Sequence, residues 1–169
     1  MTFEVRRIAP DDGPLLRRIR LAALEDEPND AATTLALSEK LPEEHWAEAA
    51  AANSSGGMQV TFFAVDGVAT SEEEVVGLVG AYANPNGTVN IVGLWSAPGH
   101  RDIGVADALL TAVRSWAAEN GHRRLRRWVV ARNEHAVAFY ERAGFRATGA
   151  SMPYEPDPRL EQIETVLAL

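Results

Sequence analysis

The segment 96–110, SAPGHRDIGVADALL, holds the residues whose types and spacing point most directly to chemistry. Arg101, Gly104 and Ala106 stand in an R-x-x-G-x-A arrangement between the end of a strand-like run and the start of a helical one. A tight loop of this kind can turn several backbone N–H groups toward one point at a helix N-terminus. Unsatisfied donors and the helix dipole favour an anion there, and a diphosphate suits the site well. The loop is not a P-loop, because no G-K-[ST] follows, and no G-x-G-x-x-G dinucleotide fingerprint is present. In the absence of a ligand, Gly104 would simply start a helix.

The remaining chemistry-bearing residues are dispersed. His45, His100, His122 and His135 form no H-x-x-x-H pair, and no G-x-S-x-G occurs, so neither a metal site nor a serine triad is predicted. His100 borders the loop as a surface residue or a phosphate contact. The chain has no cysteine, which excludes disulfides, thiolate metal sites and a cysteine nucleophile, and fits a reducing cytoplasm.

The 169 residues carry 16 basic against 24 acidic side chains, a net charge of −8. This balance disfavours a nucleic-acid partner and suits cationic ligands, or simply keeps the chain soluble. The one basic island, Arg123, Arg124, Arg126 and Arg127, lacks interleaved aromatics and reads as a solvated strand flank. Neither an apolar leader nor a run near the ~20 apolar residues of a membrane span is visible. The expected location is the cytoplasm, with no membrane partner. Asn53-Ser54-Ser55 spells a glycosylation acceptor that is meaningless without export.

The elements that must position the loop follow from periodicity. Residues 2–8 read as a strand. Asp11 or Asp12 caps a helix with Pro14 in its first turn and Leu15, Ile19, Ala22 and Ala23 on one face. Residues 25–41 read as a loop or short helical pieces, and Pro42 opens a helix to about Ala52. Strands over 60–65, 75–83 and 88–96, with turn signals at Asp66-Gly67 and Asn84-Pro85-Asn86-Gly87, form an antiparallel meander. Val105, Ala108, Leu109, Ala112, Val113, Trp116 and Ala117 make a continuous apolar stripe, and Gly121 closes that helix. A strand over 125–131 precedes a short helix capped by Asn133, with Ala136, Phe139, Tyr140 and Ala143 inward. Gly144 ends it, and a strand starts at 145–148. A proline-rich turn over 153–158 and a strand over 163–167 complete a mixed α/β (α+β) reading as a single domain over 1–169.

The loop together with Asn133, Ala136, Phe139, Tyr140, Gly144 and Phe145, spelled NEHAVAFYERAGF, resembles the GNAT superfamily of acetyl-coenzyme A-dependent N-acetyltransferases. The resemblance spans nearly the whole chain and is strongest over 93–146. It implies a central, mostly antiparallel mixed sheet of about seven strands flanked by about four helices. It also implies a diphosphate held by the loop of Arg101, Asp102, Ile103, Gly104, Val105 and Ala106, and a pantetheine arm running along Leu94, Trp95 and Ser96. By the same resemblance, a backbone N–H near that strand polarises the thioester carbonyl, and Asn133 contacts the arm. Ala136 and Phe139 adjoin the site, Phe139 by packing. Tyr140 is the general acid for the departing thiolate, or else a core aromatic. The implied reaction is direct attack by an amine in a ternary complex, with acetyl-CoA as co-substrate and no metal. A homodimer is compatible with the family.

Two departures matter. Asp102 stands where family members often have glycine, and a carboxylate beside a diphosphate is unfavourable unless it points away or Arg101 offsets it. No Asp, Glu or His lies within 84–96, so the strand carries no base for the amine. Glu25, Asp26, Glu27 and Asp30, or Glu155 and Asp157, are the alternatives, each of which could equally be a solvent-facing loop charge. Trp46 and Trp95 belong to the core or line an acceptor pocket, and Trp95 should face away from Leu94 and Ser96. The acceptor is expected to be a small amine, cationic if net charge guides it. An amino acid, a xenobiotic amine or a protein N-terminus is also compatible, as is a non-catalytic acyl-coenzyme A sensor.

Overall fold

The computed structural model describes residues 2–28, 34–66 and 74–169. The N-terminal half runs β1 (Phe3–Arg7), α1 (Gly13–Asp26), α2 (Leu35–Glu39), α3 (Glu43–Asn53), β2 (Gln59–Asp66), β3 (Val75–Ala83) and β4 (Thr88–Ser96). It continues as α4 (Val105–Glu119), β5 (Arg124–Val130), α5 (Glu134–Arg142), β6 (Arg146–Tyr154) and β7 (Asp157–Ala168). The strands form one sheet in the order β1-β2-β3-β4-β5-β7-β6, antiparallel except for the parallel pair β4–β5. The expected mixed α/β architecture is present. The fifth helix, α2, falls in the stretch read as loop or short helical pieces, with Thr34 accepting the Leu37 N–H as its cap.

Both faces of the sheet are covered, which is why β3, VVGLVGAYA, is buried over most of its length instead of alternating. On one face α4 and α5 pack Val105, Leu109, Val113, Trp116 and Tyr140 onto the sheet. On the other, α1 and α3 bring Leu16, Ile19, Ala23 and Trp46 against Phe63, Leu78 and Trp95. The α1 face is centred on Leu16, Ile19, Ala23 and Leu24, so Leu15 and Ala22 lie at its margin. Asp12 occupies the α1 cap position, yet its carboxylate accepts from the Ala9 N–H and from Arg6, both at 2.8 Å, and not from a helix N–H. Burial raises the Asp12 pKa, but the Arg6 hydrogen bond, the Ala9 N–H and the Arg6 charge together leave it below the usual carboxylate value.

Several expectations are revised. The turn expected over 153–158 shrinks to Glu155 and Pro156, because Tyr154 already pairs with Asp157, and the last strand is twelve residues long instead of the core of it at 163–167. Hairpin pairing overrides the local proline signal, since Pro153 and Pro158 sit where the edge pairing tolerates them. The arginine island is not one solvated flank. Arg127 is only 6% exposed, and Arg124 and Arg126 reach across to β4. Gly67 of the Asp66-Gly67 turn and Asp30 of the acidic loop lie outside the described residues. Among the described residues no helix is long and apolar enough to cross a membrane, and no cluster of three metal-binding side chains occurs.

Candidate active site

The centre of the sheet opens. β4 pairs with β5 only at residues 88–90 and 124–126, whereas β5 stays paired with β7 up to Val130. Beyond Asn90 the two parallel strands diverge. On its other side β4 carries a bulge, because Leu78 pairs with Trp95 and Gly80 with Val92, so Gly93 and Leu94 together face Val79. Gly93 has φ +64, the left-handed value of a glycine bulge. Extra twist at the bulge re-aims the last residues of β4 and frees their backbone groups from the regular ladder.

Two arginines occupy this opening. The Arg127 Nη1 donates to the Ile91 carbonyl at 3.1 Å, so a side chain replaces the backbone pairing that β4 and β5 have lost. Its guanidinium lies 6.0 Å from the centroid of the Tyr140 ring, at cation–π range. Tyr140 is 3% exposed and packs edge-on against Phe139 and Phe145. It is thus both a core aromatic and a neighbour of the opening. Arg20 reaches the opposite face from α1, its guanidinium lying on the Gly93 bulge.

The freed half of β4 leads directly into the loop before α4. Gly104 takes φ +86 as the α4 cap, and the first bond of that helix is the Ala108 N–H to the Gly104 carbonyl at 3.0 Å. The N–H groups of Val105, Ala106 and Asp107 therefore precede the intrahelical ladder and are available to a ligand. Ser96 supplies a second sign of a missing partner. Among the described residues its Oγ is buried with no hydrogen bond, and both ring nitrogens of nearby His100 are in the same condition. A phosphate-bearing, polar-armed molecule such as acetyl-CoA fits these donors by chemistry. Of the two readings of His100, surface residue or phosphate contact, its partly buried position removes the plain surface one.

Arg101 is committed elsewhere. Its Nε donates to the Ser96 carbonyl at 3.2 Å, one Nη bonds the Asp26 carboxylate, and the same nitrogen lies 3.5 Å from Glu27. Asp26 also accepts the Trp95 indole N–H at 2.9 Å. One carboxylate at the end of α1 thus ties down the end of β4 and the cradle loop together. Asp102 and Ile103 are exposed, and Arg101 is turned away from Asp102. Leu94 packs toward α4 and Trp95 toward α1, the opposite-face arrangement that alternation predicts. Asn133 accepts the Ala136 N–H at 3.1 Å as the cap of α5, so its carboxamide oxygen is structural, while Ala136 and Phe139 pack partly buried beside the core.

Of the carboxylates considered as bases, Asp26 and Glu27 are engaged by Arg101, and Asp157 is held by Arg159 at 2.9 Å. Glu25 and Glu155 are exposed. Trp46 is a core residue of the α1–α3 layer. Sequence reasoning missed Arg20, Arg127 and Gly93. An isolated glycine inside the strand run V-G-L-W was the available signal for the bulge. Nothing local marks which arginines lie inside.

Comparison with known proteins places this geometry. A search of curated protein sequences finds no match. Among solved structures, an acetyltransferase of the GNAT family from Streptococcus pneumoniae superposes with a TM-score of 0.78 at 20% identity over 99% of both chains. Arabidopsis thaliana NAA60, solved with acetyl-CoA, gives 0.72 at 20% identity over 99% of both chains. The PaiA N-acetyltransferase of Thermoplasma acidophilum, solved with coenzyme A, gives 0.73 at 14% identity over the whole of both chains. At such identities the likeness is one of fold. The sequence itself matches the model of the acetyltransferase (GNAT) family over residues 21–145, and the chain belongs to that family.

Proposed function

We propose that the protein is an acetyl-CoA-dependent N-acetyltransferase acting on the amine of a small molecule by direct attack in a ternary complex. The observation that carries this reading is the continuity of three features. The unzipped half of β4, the N–H groups of Val105, Ala106 and Asp107, and Tyr140 beside the opening lie along one path. The N–H groups at the start of α4 bind a diphosphate without requiring an arginine, consistent with the engagement of Arg101 by Asp26. The backbone of Leu94, Trp95 and Ser96 is placed to pair with an extended amide-bearing arm, and Ser96 Oγ adds a hydroxyl. Acetyl-CoA, when bound, supplies the acetyl group as a thioester. Tyr140 holds the proton that the leaving sulfur requires.

The test is release of free thiol from acetyl-CoA with a panel of amines. Tyr140→Phe is expected to lower kcat by about 10²- to 10⁴-fold, the usual range for a general acid, while leaving coenzyme A affinity unchanged. Unchanged turnover in Tyr140→Phe would remove the acid role. Tight coenzyme A binding with no thiol release on any amine would favour a sensor, the reading to which the uncompensated Asp102 carboxylate lends some support.

A further inference from the structure

We propose that Arg20 recognises a carboxylate on the acceptor, so that the substrate is a small amine carrying a carboxylate near its nitrogen, as an amino acid does. The inference rests on the acetyltransferase reading and names its acceptor class. It departs from the cationic acceptor that net charge suggests.

The first support is steric. Gly93 clears the sheet for this guanidinium. A Cβ at Gly93 would stand 1.8 Å from Arg20 Nη1, 2.9 Å from its Cζ and 3.2 Å from Nη2. The planar end of Arg20 therefore lies directly on the backbone at the bulge, where β4 turns away from β5. The residue keeps some solvent contact, at a small half-open cleft of about 10 Å³ bordered by Ala23, Leu24, Glu27, Gly93 and Trp95.

The second support is the state of its donors. A guanidinium carries five N–H groups in a rigid fork matched to a carboxylate. Arg20 makes no hydrogen bond or ion pair with any described residue. Asp26, at the end of its own helix, serves Arg101 and Trp95, and Glu27, which borders the cleft, lies 3.5 Å from Arg101.

The third support is charge. Arg127 enters the same opening from β5, and the two cations repel one another. Burial and the Arg127 charge lower the Arg20 pKa to about 10, which leaves it cationic at neutral pH. A guanidinium that stays charged beside the bulge offers an anion a Coulombic as well as a hydrogen-bonding interaction. No acidic residue lies within 84–96. The attacking amine must approach the bulge, so a carboxylate a few bonds from it can reach the Arg20 fork.

The test uses matched probes on protein saturated with coenzyme A. N-acetylglycine, N-acetylleucine and N-acetylglutamate are each compared with the corresponding amide, by calorimetry and thermal shift. At least one carboxylate should bind about tenfold or more tightly than its amide. Arg20→Gln should erase that difference without changing coenzyme A affinity, and Arg20→Lys should keep part of it, because an ammonium retains charge without the fork. The wild-type comparison stands even if a variant misfolds. Amides binding as well as carboxylates, or carboxylates failing to bind, would overturn the proposal while leaving the transferase intact. Preference surviving in a folded Arg20→Gln would overturn it too. Failure of coenzyme A itself to bind would overturn the transferase reading, and this inference with it.

Discussion

The two halves of the β4–β5 seam use similar residues to opposite effect. In the closed half, Arg124 Nε donates to Thr88 Oγ1 and Arg126 Nε to Asn90 Oδ1, both at 2.7 Å, over a regular parallel ladder. Arg126 also meets Glu164 at 3.3 Å. Every one of these arginines has a β4 partner. In the open half the ladder is gone, Arg127 bonds a carbonyl in its place, and Arg20 lies on the bulge with no partner among the described residues. Buried polar groups are normally satisfied within the fold. Where a seam satisfies its own groups it is structure. Where it leaves Ser96 Oγ and the His100 ring buried with no hydrogen bond among the described residues, it has room for a ligand's polar groups.

The strongest way to break the contrast is to remove the bulge. Gly93→Ala places a Cβ on Arg20 Nη1 and forces a left-handed conformation on an L side chain. The left-handed penalty alone is about 1–2 kcal/mol and overpacking adds about 1–3 kcal/mol. Denaturant unfolding should register the loss, together with collapse of acetyl transfer. The closed half should behave differently. Asn90→Ala removes the acceptor of the Arg126 bond at a position only 5% exposed. It should cost about 1–3 kcal/mol in unfolding free energy and leave the stabilisation by coenzyme A unaltered. A substitution that weakened coenzyme A binding from this half would blur the distinction. The smallest effect sharpens it. Asp102 is exposed beside the cradle, and Asp102→Asn should tighten coenzyme A binding by about twofold to fivefold, an exposed-charge effect. Calorimetry at two salt concentrations should show the gain shrinking as ionic strength rises.

Much of this organisation is written locally and some is not. β4 matches the run 88–96 end for end, because turn residues bound it sharply on the Asn84–Gly87 side and the helix-start loop bounds it on the other. The α4 stripe and the Asn133 cap also follow from spacing alone. The loop that caps α4 at Gly104 was legible for the same reason, being a local object of strand, turn and helix start. The opening was not. Arg127 is buried because β4 leaves β5 at Ile91, and Arg20 is placed by an α1 packing that no pattern within residues 13–26 encodes. The role of Arg101 shifted for the same reason, since its partner Asp26 lies far away in sequence. Net charge does not describe the opening, where Arg20 and Arg127 lie although the whole chain is −8.

Amide hydrogen exchange, with and without acetyl-CoA, tests the central claim most directly. Bound ligand should slow exchange at residues 94–96 and at Val105, Ala106 and Asp107, and leave residues 88–90 of the closed half unchanged. Uniform protection across β4, or protection confined to the closed half, would contradict the assignment of the unzipped seam as the donor site.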